Sequence, residues 1–226
     1  MIASHDAVDV VLALCLTMAA LVCLFDRHMV RACRLFVAFA AAMTLAWWRL
    51  EAPWLAVVEL ALGVGLTGLC FFYALGRVYA DAQSSLKHDH FREPWSRVVI
   101  RVVLALAWFV FVGAAIRYVM ADMVYSPTEH PLLLAGVIIT ATALGAFALH
   151  QHLIRRLLAF NLLGSGVFML LAGVAGTSLA AQALISVGLL VACLGSILGA
   201  LLIRQLLRLE GADALGQDDR PKERTT

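Results

Sequence analysis

The sequence has little charge and almost no lysine. Of its 226 residues, 14% are charged and 63% hydrophobic, and the mean hydropathy is +0.92. Soluble domains carry about 25% charged and roughly 45–50% apolar residues. This chain therefore lacks the charge needed to cover its apolar material with a solvated surface, which excludes soluble enzymes, secreted disulfide scaffolds and disordered proteins. The composition instead indicates an integral membrane protein.

The residues that hold metals and common cofactors are also scarce. The five cysteines are isolated, with no C-x-x-C pair. The histidines of His88–His90 and His150–His152 are spaced by two residues, which does not place both rings on one helical face. Lys87 and Lys222 are the only lysines and lie outside the apolar runs, so a retinal Schiff base is excluded. We expect no cofactor and no metal, and a net charge of +2 does not indicate a nucleic-acid partner.

Seven continuous apolar runs are long enough to cross a bilayer. A transmembrane helix needs about 20 apolar residues, and continuous runs indicate helices rather than the alternating strands of a barrel. The predicted spans are 7–25, 32–50, 54–75, 98–119, 131–149, 154–174 and 180–205. The predicted fold class is an all-α integral membrane protein with about seven transmembrane helices.

Basic residues alternate between the loops that join these spans. Arginines concentrate after the first, third, fifth and seventh spans, whereas the other loops are poor in basic residues. Positively charged loops face the cytoplasm. The pattern predicts an N-terminus outside and a C-terminus in the cytoplasm.

Glu59 is the only acidic residue well inside a predicted span. It lies five residues beyond Trp54 and therefore about 8 Å further along the helix. Burial of a carboxylate in a membrane is costly unless the group is paired, hydrated or protonated, so such a residue indicates a proton or cation path. The alternative is that Glu59 extends to the outer interface or pairs with Arg49 across the short turn.

Other polar groups inside the spans are weaker candidates for such a path. Asn161 and Ser165, about one turn apart in the sixth span, could hydrate it, although interhelical hydrogen bonding is the more common role. Arg101 could join it or simply extend to the cytoplasmic interface. Thr140 and Thr142 can bond back to their own helix.

Glycines inside two spans indicate close helix packing. Gly63, Gly65 and Gly68 spell G-x-G-x-x-G, but this signature indicates a dinucleotide site only between a strand and a helix. Within a span, small residues let helices approach closely or mark a π-bulge. Gly195 and Gly199 form a G-x-x-x-G pair with the same close-packing meaning.

The first three spans resemble a known three-helix module. A basic turn, a span, a turn with proline and a helix of the pattern A-x-T-E-A-x-x-G make this stretch similar to the D subunit of membrane-bound hydrogenases. It is equally similar to the C-terminal extension of the large A subunit of Mrp-type sodium/proton antiporters. Trp54 and Val58 replace the aspartate and threonine of the family pattern. The matching positions are Ala52, Pro53, Ala56, Glu59 and Gly63. The resemblance implies that Glu59 is the intramembrane glutamate of the family.

The last three spans resemble the C subunit of Mrp antiporters and the related K subunit of respiratory complex I. The positions that match are Leu153, Ile154 and Arg155 in an L-I-R turn, and Gln182, Ala183 and Leu184 at the start of the third helix. Asn161 stands where complex I carries a glutamate, the last span has no carboxylate, and the D-P-x-P turn is lost. The resemblance therefore implies a mainly structural role for this half.

Together the two resemblances imply a fused chain. Its predicted parts are a three-helix module at 1–76, a cytoplasmic loop and linking span at 77–125, a second three-helix module at 126–208, and a disordered cytoplasmic tail at 209–226. The implied function is that of a membrane subunit of an Mrp- or complex I-like cation/proton-translocating assembly in a bacterial or archaeal cytoplasmic membrane. Its partners would be large antiporter-type subunits, other small membrane subunits and the lipid bilayer.

Two other functions stay open at this point. The chain could be a self-contained small transporter or channel, or a purely structural assembly subunit. The sequence offers no redox centre, nucleotide site or catalytic triad, so we expect that the chain is not an enzyme by itself.

Overall fold

The computed structural model describes residues 2–26, 28–81, 130–150, 152–176 and 178–210, together with isolated positions between 100 and 118. Every element that it describes is helical. The elements are α1 (Ile2–Phe25), α2 (Met29–Arg49), α3 (Pro53–Glu59), a π-helical segment (Leu60–Thr67), α4 (Gly68–Asp81), α5 (Pro131–Leu149), α6 (Leu153–Ala175) and α7 (Leu179–Glu210). The helix α3, the π-helical segment and α4 follow one another without a break.

Six described helices are long and apolar enough to cross a membrane. They are Ala7–Phe25, Met29–Arg49, Pro53–Gly76, Pro131–Leu149, Leu153–Ala175 and Leu179–Leu206. These helices confirm the first three and last three predicted spans to within a few residues. The part of the chain that the structure describes is all-helical, and the protein is a multi-pass membrane protein. The span predicted at 98–119, the linking region 77–125 and the tail 209–226 lie largely outside the described residues. The seventh span and the orientation of the termini stay predictions.

Residue choice at the turns explains where helices begin and end. Pro53 and Pro131 occupy the first turns of α3 and α5, where the missing N–H costs no helical hydrogen bond. Glu51, between α2 and α3, has a left-handed backbone with φ of 57°. Gly176 follows α6 with φ of 72°, a conformation that glycine adopts without steric cost.

The two halves of the described chain pack side by side. Helix α1 contacts α5, while α3, the π-helical segment and α4 contact α7. Trp47, Phe39 and Phe71 are fully buried in the core of the first half. Large apolar side chains such as Leu14 on α1 and Val191 on α7 are exposed, as expected for helices whose outer surface meets lipid.

Glycines permit the closest helix contacts of the second half. A Cβ at Gly166 of α6 would lie 2.9 Å from the Thr140 backbone nitrogen and 3.1 Å from the Gly136 carbonyl oxygen, both on α5. A Cβ at Gly199 of α7 would lie 2.8 Å from Leu157. The predicted close packing around the G-x-x-x-G pair is confirmed at Gly199, whereas Gly195 has only an ordinary contact.

The threonines of α5 behave as predicted. The Thr140 hydroxyl donates to the Gly136 carbonyl at 2.7 Å, and the Thr142 hydroxyl donates to the Ile138 carbonyl at 2.6 Å. Both bonds satisfy the hydroxyl within its own helix.

Candidate functional site

Glu59 is buried at the end of α3, directly before the π-helical segment. Only 3% of the residue is exposed, and its Oε2 atom has no hydrogen-bond partner among the described residues. Its position follows from helical spacing, because Leu55 and Ala56 precede it by four and three residues and are also buried. The carboxylate therefore lies on the inward face of the helix.

Arg49 pairs with a different carboxylate. Its Nε lies 2.6 Å from Oδ1 of Asp9, and each side chain is 25% exposed. This ion pair joins the end of α2 to α1. The alternative prediction, in which Glu59 extends to the interface or pairs with Arg49, is wrong because α3 turns the Glu59 side chain inward.

The glycine-rich stretch after Glu59 forms a π-helix over Leu60–Thr67. This confirms the predicted local π geometry, which is rare in proteins and concentrated at functional sites. A Cβ at Gly63 would collide with the Oε1 atom of Glu59, so the missing side chain leaves the space that the carboxylate occupies. Gly65 has no comparable contact, since a Cβ there would lie 3.5 Å from the Leu60 carbonyl oxygen.

Glu59 lines a small cavity between the two halves of the chain. The cavity has a volume of about 20 Å³ and lies where α2, the π-helical segment, α6 and α7 meet. We call it the Glu59 cavity, and its polar lining consists of Glu59, Thr67, Asn161 and Ser165. The structure thus brings together three of the four residues predicted for an ion path. The fourth, Arg101, lies outside the described residues.

Asn161 links α6 to α7. Its Nδ2 donates to the Leu157 carbonyl at 2.9 Å, and its Oδ1 accepts from the Ser196 hydroxyl at 2.7 Å. Ser196 Oγ also lies 2.8 Å from the Ala192 carbonyl oxygen, so its single proton serves one of two acceptors at a time. The interhelical hydrogen bond predicted for this region is therefore present at Asn161.

Sequence reasoning missed three residues of this neighbourhood. Thr67 lines the cavity and Ser196 supports Asn161. The fully buried indole of Trp47 interacts with the Glu59 carboxylate without the geometry of a hydrogen bond, and its Nε1 has no partner among the described residues. Thr67 and Ser196 could have been found from the sequence, because both are polar residues inside predicted spans. Nothing in the sequence links Trp47 to Glu59.

A polar contact joins the two halves of the chain at the C-terminal end of α1. His150, which follows α5, has its Nε2 atom 3.0 Å from the Leu24 carbonyl oxygen. Arg155, in the first turn of α6, is 4% exposed. Within the described residues, no group of three or more histidine, cysteine, aspartate or glutamate side chains is arranged to hold a metal ion.

Comparison with known proteins finds one family in the first half of the chain. Residues 13–80 match the family of the D subunit of MBH, the membrane-bound hydrogenase. The match covers less than a third of the chain and includes Glu59, the π-helical segment and most of the first three described spans. It supports a membrane subunit of the MBH/Mrp type. No curated protein and no solved structure matches the chain.

Proposed function

We propose that this chain is a membrane subunit of a multisubunit MBH/Mrp-like assembly that translocates cations or protons across a bacterial or archaeal cytoplasmic membrane. In this proposal it scaffolds large antiporter-type subunits and other small membrane subunits, and it contributes Glu59 to the ion or proton path. In this role the chain would carry no catalytic chemistry of its own. The second half is a structural module related to the C subunit of Mrp antiporters.

The burial of Glu59 is the observation that carries the proposal. An unpaired carboxylate inside a membrane protein is expensive, and such residues mark ion and proton pathways. Glu59 has this environment, because one of its oxygens has no hydrogen-bond partner among the described residues and lies beside a π-helix and a small cavity with polar lining. The family match over residues 13–80 supports the kind of assembly in which the carboxylate would act.

The substitution Glu59→Gln tests the role of the carboxylate. Glutamine keeps the size and much of the hydrogen-bonding capacity but has no titratable proton. We expect normal assembly and at least a several-fold loss of coupled transport, measured as cation-dependent proton movement in membrane vesicles that contain the intact complex. Asn161→Asp is the matched opposite change, because it adds a carboxyl group to the same cavity. Combined with Glu59→Gln, it should not restore transport. Wild-type transport by a fully assembled Glu59→Gln complex would end the proposed path.

Purification at the native expression level tests the assembly. The chain should copurify with large many-helix membrane subunits in a mild detergent. Migration as a single polypeptide, together with ion flux when the purified chain is placed in liposomes, would contradict the proposal and favour a self-contained transporter. Normal assembly with unaffected transport after Glu59→Gln would instead favour a structural assembly subunit.

A further inference from the structure

The Glu59 cavity is the one place where the described structure combines empty space with an unsatisfied buried carboxylate. Its volume of about 20 Å³ is sufficient for one water molecule, which requires about 10–15 Å³. Only 3% of Glu59 is exposed, and its Oε2 lacks a partner among the described residues. The neighbouring Trp47 indole lacks the geometry of a hydrogen bond to the carboxylate, so Oε2 has room for a further donor. Such a donor is favoured because an unpaired buried polar group is strongly unfavourable.

We propose that the Glu59 cavity binds a single water molecule that joins Oε2 of Glu59 to the polar side chains of α6. The water donates one hydrogen bond to Oε2 of Glu59. Its remaining hydrogen bonds are formed with Asn161, Ser165 and Thr67. The proposal concerns the occupant of the cavity, and only its use in a proton path rests on the proposed function above.

The lining supplies the partners that a buried water requires. Such a water forms about three hydrogen bonds, with a range of two to four. Four polar side chains line the cavity. The Asn161 amide nitrogen carries two protons and gives one to Leu157, which leaves one for the cavity. The Ser165 and Thr67 hydroxyls can each donate or accept.

The same lining does not suit a bare cation. A sodium ion in a protein needs a shell of oxygen ligands, and calcium, a hard cation of similar size, takes about six to eight. Here the cavity offers one carboxylate and the hydroxyls of Ser165 and Thr67, and the Asn161 oxygen already accepts from Ser196. These oxygens are fewer than such a shell requires, and the remaining lining is apolar apart from Cys193. One water matches both the volume and the number of donors and acceptors.

A bound water also explains how the two halves can share one site. Glu59 and Thr67 belong to the first half, whereas Asn161 and Ser165 belong to α6. A water between them extends the hydrogen-bonding reach of Glu59 into the second half. In a proton path, protons would pass between Glu59 and the hydroxyl of Ser165 through this water.

The test is a high-resolution structure of the intact complex in lipid nanodiscs, at a resolution that shows other buried waters. We expect one isolated density peak within hydrogen-bonding distance of Glu59 Oε2 and of at least one polar atom of α6. The sample is prepared once in sodium buffer and once with choline in place of sodium. The peak should persist in both. An empty cavity, or a peak that disappears without sodium, would overturn the proposal.

Two alanine-to-valine changes in α7 provide a matched pair. Ala192 lines the cavity, whereas Ala183 is exposed on the same helix. Ala192→Val should fill the cavity and remove the peak, and Ala183→Val should leave it in place. Persistence of the peak in Ala192→Val at full strength and unchanged position would contradict the assigned site.

The outcomes for the water and for the proposed function are distinguishable. If the peak is missing and Glu59→Gln loses transport, the proposed water is wrong and the proposed ion path stands. If the peak is clear and Glu59→Gln transports normally, the water stands and the ion path is wrong. If both proposals hold, Ala192→Val lowers coupled transport several-fold although Glu59 is intact, and Ala183→Val does not.

Discussion

Glu59 in the first half of the chain and Asn161 in the second half line the same cavity but differ in their hydrogen bonding. In the first half, Glu59 is buried with an oxygen that has no partner among the described residues, beside a π-helix. In the second half, Asn161 is bonded to Leu157 and Ser196, and Thr140 is bonded to its own helix. The ionisable group therefore keeps an open hydrogen-bonding site, whereas the two neutral groups are bonded to other residues. This contrast singles out Glu59 as the candidate pathway residue of the cavity.

Glycine serves these two halves differently as well. Gly63 leaves room for the Glu59 carboxylate, whereas Gly166 leaves room for the backbone of α5. The same residue type thus shapes a site in one half and a helix contact in the other. Substitution by alanine should separate the two uses.

The largest expected effect is on stability in the second half. Gly166→Ala places a methyl group against the backbone of Thr140 and Gly136, which cannot move away as a flexible side chain can. Overpacking of this kind costs about 1–3 kcal/mol, and we expect a clear fall in the thermal unfolding midpoint in nanodiscs. Gly164→Ala is the control on the same helix, because its Cβ would meet only the Phe168 ring at 3.7 Å. Equal midpoints for the two variants would contradict the role given to Gly166.

A second comparison concerns the glycines of the π-helical segment. Gly63→Ala puts a methyl group where Glu59 Oε1 lies, so the carboxylate must move. We expect a few-fold loss of coupled transport with the complex still assembled, measured in the same vesicles as for Glu59→Gln. Gly65→Ala changes the same helix without touching the carboxylate and should retain transport. If the two alanine variants transport equally, Gly63 does not position Glu59.

The hydrogen bond between α6 and α7 should have a smaller effect. Ser196→Ala removes the donor to Asn161, and interhelical hydrogen bonds in membrane proteins contribute about 0.6 kcal/mol on average. We expect a small drop in the unfolding midpoint. Ser186→Ala is the control, because the Ser186 hydroxyl donates to the Gln182 carbonyl oxygen at 2.8 Å within α7. A double-mutant cycle of Asn161→Ala with Ser196→Ala that shows no coupling would contradict the assigned contact.

The smallest effect is expected at the ion pair between α1 and α2. Arg49→Ala breaks a partly exposed contact with Asp9, and pairs of this kind contribute about 0–1 kcal/mol. Stability should change little and transport should be unchanged, because Glu59 is not the ion-pair partner of Arg49. A transport loss in Arg49→Ala as large as that in Glu59→Gln would show that the two residues act together after all.

Much of the helical framework could be predicted from the chain alone. Continuous apolar runs of about 20 residues form helices in a bilayer, because only helices and closed barrels satisfy the backbone groups there and barrel strands alternate in polarity. The six described spans follow this rule to within a few residues. The candidate site was partly predictable for the same reason, because Glu59, Asn161 and Ser165 are polar residues inside such runs. A costly residue in an apolar run is visible without any structure.

The arrangement of those residues was decided only by the tertiary structure. Sequence spacing relates residues within one helix and does not state which helices meet, so the shared cavity of Glu59, Thr67, Asn161 and Ser165 could not be foreseen. The choice of Asp9 rather than Glu59 as the partner of Arg49 depended likewise on the packing of α2 against α1. The sequence by itself determined the helices and the cost of burying a carboxylate, because both follow from local composition and the bilayer. Partner choice and cavity shape required the tertiary structure, because they arise from contacts between segments far apart in the chain.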